Sequence, residues 1–348
     1  MLDSLHIKNF RCFEDLTIPS LGRVNLIVGK NNSGKSTLLE AMYIFSNRGG
    51  LRAITDVLSH RGEFDVVQGY TIARLLFNGN KNIINGDGFY IGNDQDNVSL
   101  VYLHPSLSKE KMSSLDESTL FSVISSDSEL KDFFISLKDS GFGVFDKRTI
   151  YQHNMLGTNL IKEDYLASMW DGLLLSGNDE KIKDYLKILN HSISQIFFIG
   201  SREKDNKIGY ERTAIVKLTD PDVSVPLRSL GEGTTRLFQL FLSAFQARGG
   251  YLMIDEFENG LHYSIQEEIW EKLFELAKAL DIQVFATTHS QDTLRAFGHV
   301  ALRSPEEGKI ISLARHTRDN DPKKGQISAL VYDENDIEMI MQTNMEVR

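Results

Sequence analysis

Three short apolar runs, each ending at once in glycine or polar residues, set the frame of this chain: Val24-Asn25-Leu26-Ile27-Val28, Tyr251-Leu252-Met253-Ile254 and the stretch Val284 to Thr287. Runs this short, bounded by turn-forming residues, read as buried strands. Between and after them the apolar period lengthens to that of a helix. Ser36 to Phe45 carries Leu38, Leu39, Met42 and Phe45 at helical spacing, and His262 to Leu280 shows Ile265, Ile269, Leu273 and Leu276 on one face. Thr234 to Ala247 is apolar nearly all round, with Leu237, Phe238, Leu240, Phe241, Leu242 and Phe245, which predicts a helix buried between layers. Shorter strand-like pieces come first, at Leu5 to Phe10 and Leu16 to Ile18, and others at Ile196 to Ile199, Thr213 to Leu218 and Val223 to Leu227. Strand, helix, strand in this order predicts an α/β fold with a parallel core sheet, right-handed crossovers and ligands gathered at the strands' carboxyl ends.

From about 70 to 195 the pattern loosens. Hairpin pieces at Gly88 to Ile91 and Val98 to Leu103 give way to Ser-, Asp- and Lys-rich amphipathic stretches, in which Ser113-Ser114 and Ser125-Ser126-Asp127-Ser128 read as loops between helices and Trp170, Leu173, Leu174 and Leu175 as packing residues. The predicted organisation is an N-terminal part over 1–75, a mainly helical insertion over 76–195, a return to the core over 196–315 and an extension over 316–348.

Composition narrows the function classes. With 348 residues, 41% of them hydrophobic, the chain can bury a large core. No apolar run approaches the roughly 20 residues that cross a bilayer, and the start Met1-Leu2-Asp3-Ser4-Leu5-His6 has no basic and apolar leader pattern, so a cytoplasmic protein without membrane partners is expected. One cysteine, Cys12, makes neither an internal disulfide nor a zinc cluster and reads as a packed small residue of the N-terminal sheet. A net charge of −10 argues against a generally basic DNA-coating surface, and the stretch Arg303 to Lys324, its cations diluted by Glu306, Glu307, Asp319 and Asp321, reads as a solvated face.

The chemistry begins where the first buried strand ends. Gly29-Lys30-Asn31-Asn32-Ser33-Gly34-Lys35-Ser36 fits G-x-x-x-x-G-K-[ST] between a strand and a helix, the context this phosphate-binding loop requires. Its glycines allow backbone N–H groups to turn around a phosphate, and the helix start adds its positive dipole end. Lys35 is expected to span the β- and γ-phosphates of ATP, Ser36 to ligate Mg²⁺ and Thr37 to donate to the α-phosphate. Asp255-Glu256, at the end of the second run, places two carboxylates where a phosphate-site metal lies: Asp255 for the Mg²⁺ shell through water, Glu256 to orient and deprotonate the attacking water. His289, after the third run, is placed to donate to the γ-phosphate or the water. Ser229-Leu230-Gly231-Glu232-Gly233 precedes a helix and could present N–H groups and a hydroxyl to another phosphate. Arg11 and Arg52 are left either as phosphate-neutralising or as structural and exposed residues.

These motifs together resemble the ABC-ATPase branch that includes RecF, SMC and OLD-family proteins. The likeness rests on Leu5 to Phe13 and Asn25 to Ala41, on Ser229 to Gly233 as a short ABC signature, on Ile254 to His262 as Walker B and D-loop, and on Ala286 to Ser290 as the switch-histidine loop, while Asn344 to Arg348 is similar to the tail of compact members. The resemblance implies an ABC-type P-loop fold with an N-terminal antiparallel β subdomain. It implies a head-to-tail homodimer, or a higher assembly built from it, in which Ser229, Gly231, Glu232 and Gly233 of one chain contact the ATP held by Lys35 of the other. Gln68 is the candidate for the Q-loop glutamine, and no aromatic residue is assigned to the adenine. The stretch from Gln291 to Arg348 is too short for the TOPRIM nuclease of full-length OLD enzymes, which suggests an ATPase that gates a separately encoded effector such as a nuclease, in defence against phage or in DNA processing. A RecF-like repair ATPase that binds DNA directly is the alternative, and a transporter subunit a more distant one.

Overall fold

In the computed structural model, residues 1–63, 75–80, 88–103, 119–125, 128–135, 151–201, 211–304, 307–317 and 321–343 are described. Strands β1 (Leu5–Phe10) and β2 (Phe13–Ile18) form a hairpin that leads into β3 (Val24–Val28), all five residues of which are buried. Helix α1 (Lys35–Ser46) follows the phosphate loop and α2 (Leu51–His60) follows it closely. Strands β4 (Gly88–Gly92) and β5 (Asn97–Leu103) lie where hairpin pieces are predicted, and with β6 (Thr119–Ser125) and β7 (Ser128–Ile135) they extend the N-terminal hairpin into a six-stranded antiparallel sheet of order β2-β1-β4-β5-β6-β7.

The insertion therefore opens as sheet. Ser125 and Ser128 pair with each other as residues of β6 and β7, not as part of a loop between helices, in keeping with the strand preference of Leu-Phe-Ser-Val-Ile at 120–124. Its two described helices, α3 (Glu163–Leu175) and α4 (Asp179–Leu186), come only after β8 (His153–Leu156). Within α3, Trp170 and Leu173 are buried as expected, whereas Leu175 is 91% exposed. The Ser113-Ser114 cluster, Gln68 and Asn344 to Arg348 lie outside the described residues.

Next come β9 (Ile193–Ser201), β10 (Glu211–Leu218) and β11 (Ser224–Pro226), a small antiparallel sheet, and α5 (Glu232–Gln246). β12 (Tyr251–Ile254), α6 (Tyr263–Leu280), β13 (Gln283–Thr287), α7 (Gln291–Arg303), β14 (Gly308–Arg315), β15 (Ile327–Tyr332) and α8 (Glu334–Thr343) complete the order. The core sheet runs β15-β14-β3-β13-β12-β8, parallel throughout except for β15. The three predicted runs are its central strands. Arg303 to Lys324 is not simply a solvated face: Ile310, Ile311 and Leu313 are buried in β14, directly beside β3.

Strand alternation divides the core between the two faces of this sheet. Val24, Leu26, Val28, Leu252 and Ile254 face α3, α5, α6 and α7, while Ile27, Tyr251, Met253 and Phe285 face α1 and the N-terminal sheet. Asp255 thus follows a strand whose odd-numbered positions point to the α1 side. Phe257, two residues on, anchors the turn on the other side by stacking on Trp270 with centroids 3.7 Å apart, and Trp270 meets Phe297 edge-on at 5.0 Å. Among the described residues no helix is long and apolar enough to cross a membrane.

Trp270 is fully buried. Trp270→Ala is expected to lower stability by about 3–5 kcal/mol, read as a lower urea midpoint, because it leaves a cavity under the Phe257 turn.

Candidate functional site

β3 ends at Gly29, and two glycines make the loop that follows possible. Gly29 sits at φ 148°, where a Cβ would stand 2.5 Å from the Leu313 carbonyl, and Gly34 at φ 97°, where a Cβ would stand 2.7 Å from the Phe13 ring. Asn32 also takes a left-handed φ of 62°, a conformation Asn tolerates better than most residues. Gly34 caps α1 without any side-chain hydrogen bond, and no acidic residue occupies the first turn, so its leading N–H groups are open to an anion. Lys35 is 5% exposed, its ammonium donating to the carbonyls of Gly29 at 2.8 Å and Lys30 at 3.1 Å. The Ser33 Oγ is buried without a hydrogen-bond partner in the protein.

Parallel pairing carries the other half of the site to this loop. Ser36 Oγ donates to Asp255 Oδ1 at 3.3 Å across 219 positions of sequence. Thr287, at the end of β13, donates its hydroxyl to the same Asp255 oxygen at 2.6 Å and accepts the Glu256 N–H at 2.9 Å. Glu256 lies at φ 49°, a left-handed conformation that costs a residue with a Cβ about 1–3 kcal/mol and persists where the surroundings enforce it. Glu258 braces the neighbouring loop: its carboxylate accepts from the Thr288 hydroxyl at 2.8 Å and from the His289 N–H at 2.7 Å. A cleft of about 990 Å³ is lined by Asn31, Asn32, Gly34, Lys35, Ser36, Thr37, Glu256 and His289, together with Cys12, Arg61 and Arg315.

Of the predicted site residues, Asn31, Asn32, Gly34 to Thr37, Glu256 and His289 line this one cleft, with Asp255 hydrogen-bonded at its floor. Ser229, Gly231, Glu232 and Gly233 do not; Ser229, Gly231 and Glu232 are exposed at the start of α5, with Gly231 at φ 99°. Arg11 and Arg52 also stay out of it. Arg11 is buried between Glu40 and Glu63, 2.9 Å from each, and Arg52 is 94% exposed beside Asp56, so both take the structural reading. Cys12 is half-buried, packed against the core of the N-terminal sheet and also lining the cleft wall, and burial raises the pKa of its thiol.

Sequence reasoning missed two cations of the cleft. Arg61, just past α2, donates to the Thr37 hydroxyl at 3.2 Å and to Glu40 at 2.6 Å, and Arg315, at the end of β14, donates to the Asn32 carbonyl at 3.3 Å. Burial pushes the Glu40 carboxyl above its usual range despite Arg11 and Arg61. No local pattern marks these arginines; they reach the loop through tertiary contacts alone. Arg236 had a signal, being the only cation of the largely apolar helix α5. Among the described residues no three His, Cys, Asp or Glu side chains gather as a metal cluster. The pair of Ser36 and Asp255 instead suits Mg²⁺, which keeps few protein ligands and takes phosphate oxygens and water for the rest.

Residues 1–167 match the family described as "AAA ATPase domain", and residues 174–295 match "AAA domain, putative AbiEii toxin, Type IV TA system". The chain is 24% identical over 334 residues to an ATP/GTP phosphatase of Helicobacter pylori, a match covering 86% of this chain and 88% of that one. It is 52% identical over 42 residues to an OLD nuclease of Thermus scotoductus, which is 12% of this chain and 8% of that protein. Among solved structures it is similar to an SMC head bound to the C-terminal winged-helix domain of ScpA, with a TM-score of 0.51, 14% identity, and coverage of 95% of this chain and 97% of that one.

Gly34→Ala places a methyl group against Phe13 at a left-handed φ. It is expected to weaken binding of a fluorescent ATP analogue roughly tenfold or more, equivalent to about 1.4 kcal/mol, in an equilibrium titration.

Proposed function

The chain is an ATPase of the ABC/SMC-like class, in the branch that holds the RecF, SMC and OLD proteins, and from that premise we propose that it hydrolyses ATP at the Lys35–Glu256 cleft as a head-to-tail dimer. The observation that carries the dimer is the separation within one chain: Asn31, Asn32, Gly34 to Thr37, Glu256 and His289 line one cleft, whereas Ser229, Gly231 and Glu232 stand exposed outside it. A second chain turned head to tail would bring its loop to the open side of the cleft, where Ser229 and Gly231 would donate to the γ-phosphate.

The chain's own groups then divide the work. Backbone N–H groups from Asn31 to Thr37 and the Lys35 ammonium hold the β- and γ-phosphates, with Lys35 exchanging its two carbonyl partners for phosphate oxygens. Thr37 serves the α-phosphate, and Arg61 and Arg315 offset the remaining charge at the rim. Ser36 and, through water, Asp255 fit Mg²⁺, which when bound supplies charge neutralisation at the transferring phosphoryl group. Glu256 accepts the proton of the attacking water, its backbone fixed by Thr287 so that the carboxylate enters the cleft. His289 donates to the γ-phosphate from a loop that Glu258 holds in place.

The biological role follows the OLD side of the branch: an ATP-driven dimer in the cytoplasm that gates or recruits a separately encoded effector, such as a nuclease, in defence against phage or in DNA processing. The local likeness to an OLD nuclease and the match of residues 174–295 to an AbiEii-type AAA domain support this direction.

Glu256→Gln is expected to keep ATP affinity and lower the hydrolysis rate by about 10²–10⁴-fold, measured as phosphate release. In light scattering this variant should gain mass, or tighten as a dimer, only with Mg²⁺ and ATP, and Ser229→Arg should remove that change and slow wild-type hydrolysis roughly tenfold to a residual, measurable rate. A mass indifferent to ATP, with Ser229→Arg hydrolysing at the wild-type rate, would sink the dimer. Salt-sensitive, ATP-dependent binding of duplex DNA by the pure protein would move the role to a RecF-like clamp.

A further inference from the structure

Arg236 is 2% exposed, one helical turn beyond Glu232 in α5. Its Nη1 donates to the Gly157 carbonyl at 2.5 Å and its Nη2 to the Asp255 carbonyl at 3.0 Å. Gly157 follows β8, whose register with β12 sets Leu156 beside Ile254, so the two carbonyls stand at the carboxyl ends of adjacent strands. The same corner is closed from a second direction. A Cβ on Gly260 would lie 3.1 Å from the Glu232 side chain and 3.6 Å from that of Arg236, one on Gly233 would lie 2.8 Å from the Gly260 carbonyl, and Asn259 donates to the Thr158 carbonyl at 3.0 Å.

Packing alone does not call for a guanidinium here. Arg236 is the one charge among the buried residues of α5, whose other buried polar side chains, Thr234, Thr235, Gln239 and Ser243, are uncharged, and a charge taken out of water costs several kcal/mol unless its surroundings compensate. Burial lowers the Arg236 pKa to about 10, against the opposing pull of Asp255, Glu256, Glu232 and Glu258. Its hydrogen bonds to Gly157 and Asp255 go to main chain, and a planar fork bonded to two carbonyls transmits a shift of its helix as a shift of both strand ends.

We propose that Arg236 is a positioning residue that couples occupancy of the Ser229–Gly233 loop to the placement of Asp255 and Glu256 in the same chain. A phosphate engaged at the start of α5 draws that helix, and the fork carries the movement to the carbonyl of the residue whose side chain meets Ser36. This rests on the reading of the loop as a contact across the dimer.

The test is a double-mutant cycle on the full chain, with Arg236→Lys, Ser229→Arg and both together, followed by kcat, KM, fluorescent ATP affinity and nucleotide stoichiometry. Arg236→Lys keeps the charge and one carbonyl bond, so it removes the fork without leaving the corner uncharged. Arg236→Lys is expected to lower kcat roughly tenfold or more while KM, affinity and stoichiometry stay within about twofold, and the double variant should be no slower than the slower single one. Effects that multiply in the double variant, or a kcat for Arg236→Lys within twofold of wild type, would overturn the coupling. Ser229→Arg at the wild-type rate would overturn the dimer reading and the coupling with it, whereas a slow Ser229→Arg beside a wild-type Arg236→Lys would overturn the coupling alone.

Discussion

One hydroxyl, that of Thr287, fixes where the second half of the site begins. It donates to Asp255 at 2.6 Å and accepts from the Glu256 N–H at 2.9 Å, so the end of β13 dictates the turn at the end of β12. With Glu256 forced to a positive φ, the strand cannot continue, and two adjacent carboxylates part company. Asp255 stays on the α1 side within 3.3 Å of Ser36, while Glu256 swings to line the cleft. A parallel sheet makes such a junction available because its carboxyl ends emerge side by side, and β13 sits between β3 and β12.

Around that junction the molecule spends charge in buried places. Lys35, Arg236, Arg11 and Glu40 are all nearly inaccessible, and each is satisfied mainly by groups already fixed: loop carbonyls for Lys35, strand-end carbonyls for Arg236, and a carboxylate and guanidinium cluster for Arg11, Glu40 and Arg61. Groups held this way need little reorganisation when a polyanion arrives, which is the physical content of a preorganised site. Of the cleft's other polar residues, Asn31, Asn32, Ser36 and His289 stay exposed.

The phosphate loop, the carboxylates at the end of β12 and the parallel order of the three central strands were legible in the sequence because each is local: a glycine spacing, an apolar run, a polar residue after it. Ser36 and Asp255 could be paired on paper because a phosphate-loop hydroxyl and a strand-end carboxylate suit one Mg²⁺ shell. Arg61 and Arg315 could not, since α2 and β14 reach the loop only through tertiary packing. β14 was hidden for another reason: its apolar residues are interleaved with Lys309, Ser312 and Arg315 in a charged neighbourhood, and its burial comes from β3 on one side and β15 on the other. The hairpin at 119–135 was obscured by serines that suggested loops, whereas β-branched and aromatic neighbours outweighed them.

β3, which carries the phosphate loop, has hydrogen-bonding partners on both sides, and both come from the far end of the chain: residues 284–287 on one side and 308–312 on the other. Synthesis delivers a protein N-terminus first, at about 5–20 residues per second. Gly29 to Thr37 therefore leaves the ribosome many seconds before any strand exists that can seat it, while the β1–β2 hairpin pairs locally at once. Until residues 284–312 have emerged the nascent chain holds the phosphate-loop sequence without the two strands that flank β3, so the nucleotide site takes shape only after a stretch nearly 250 residues downstream of it has been made.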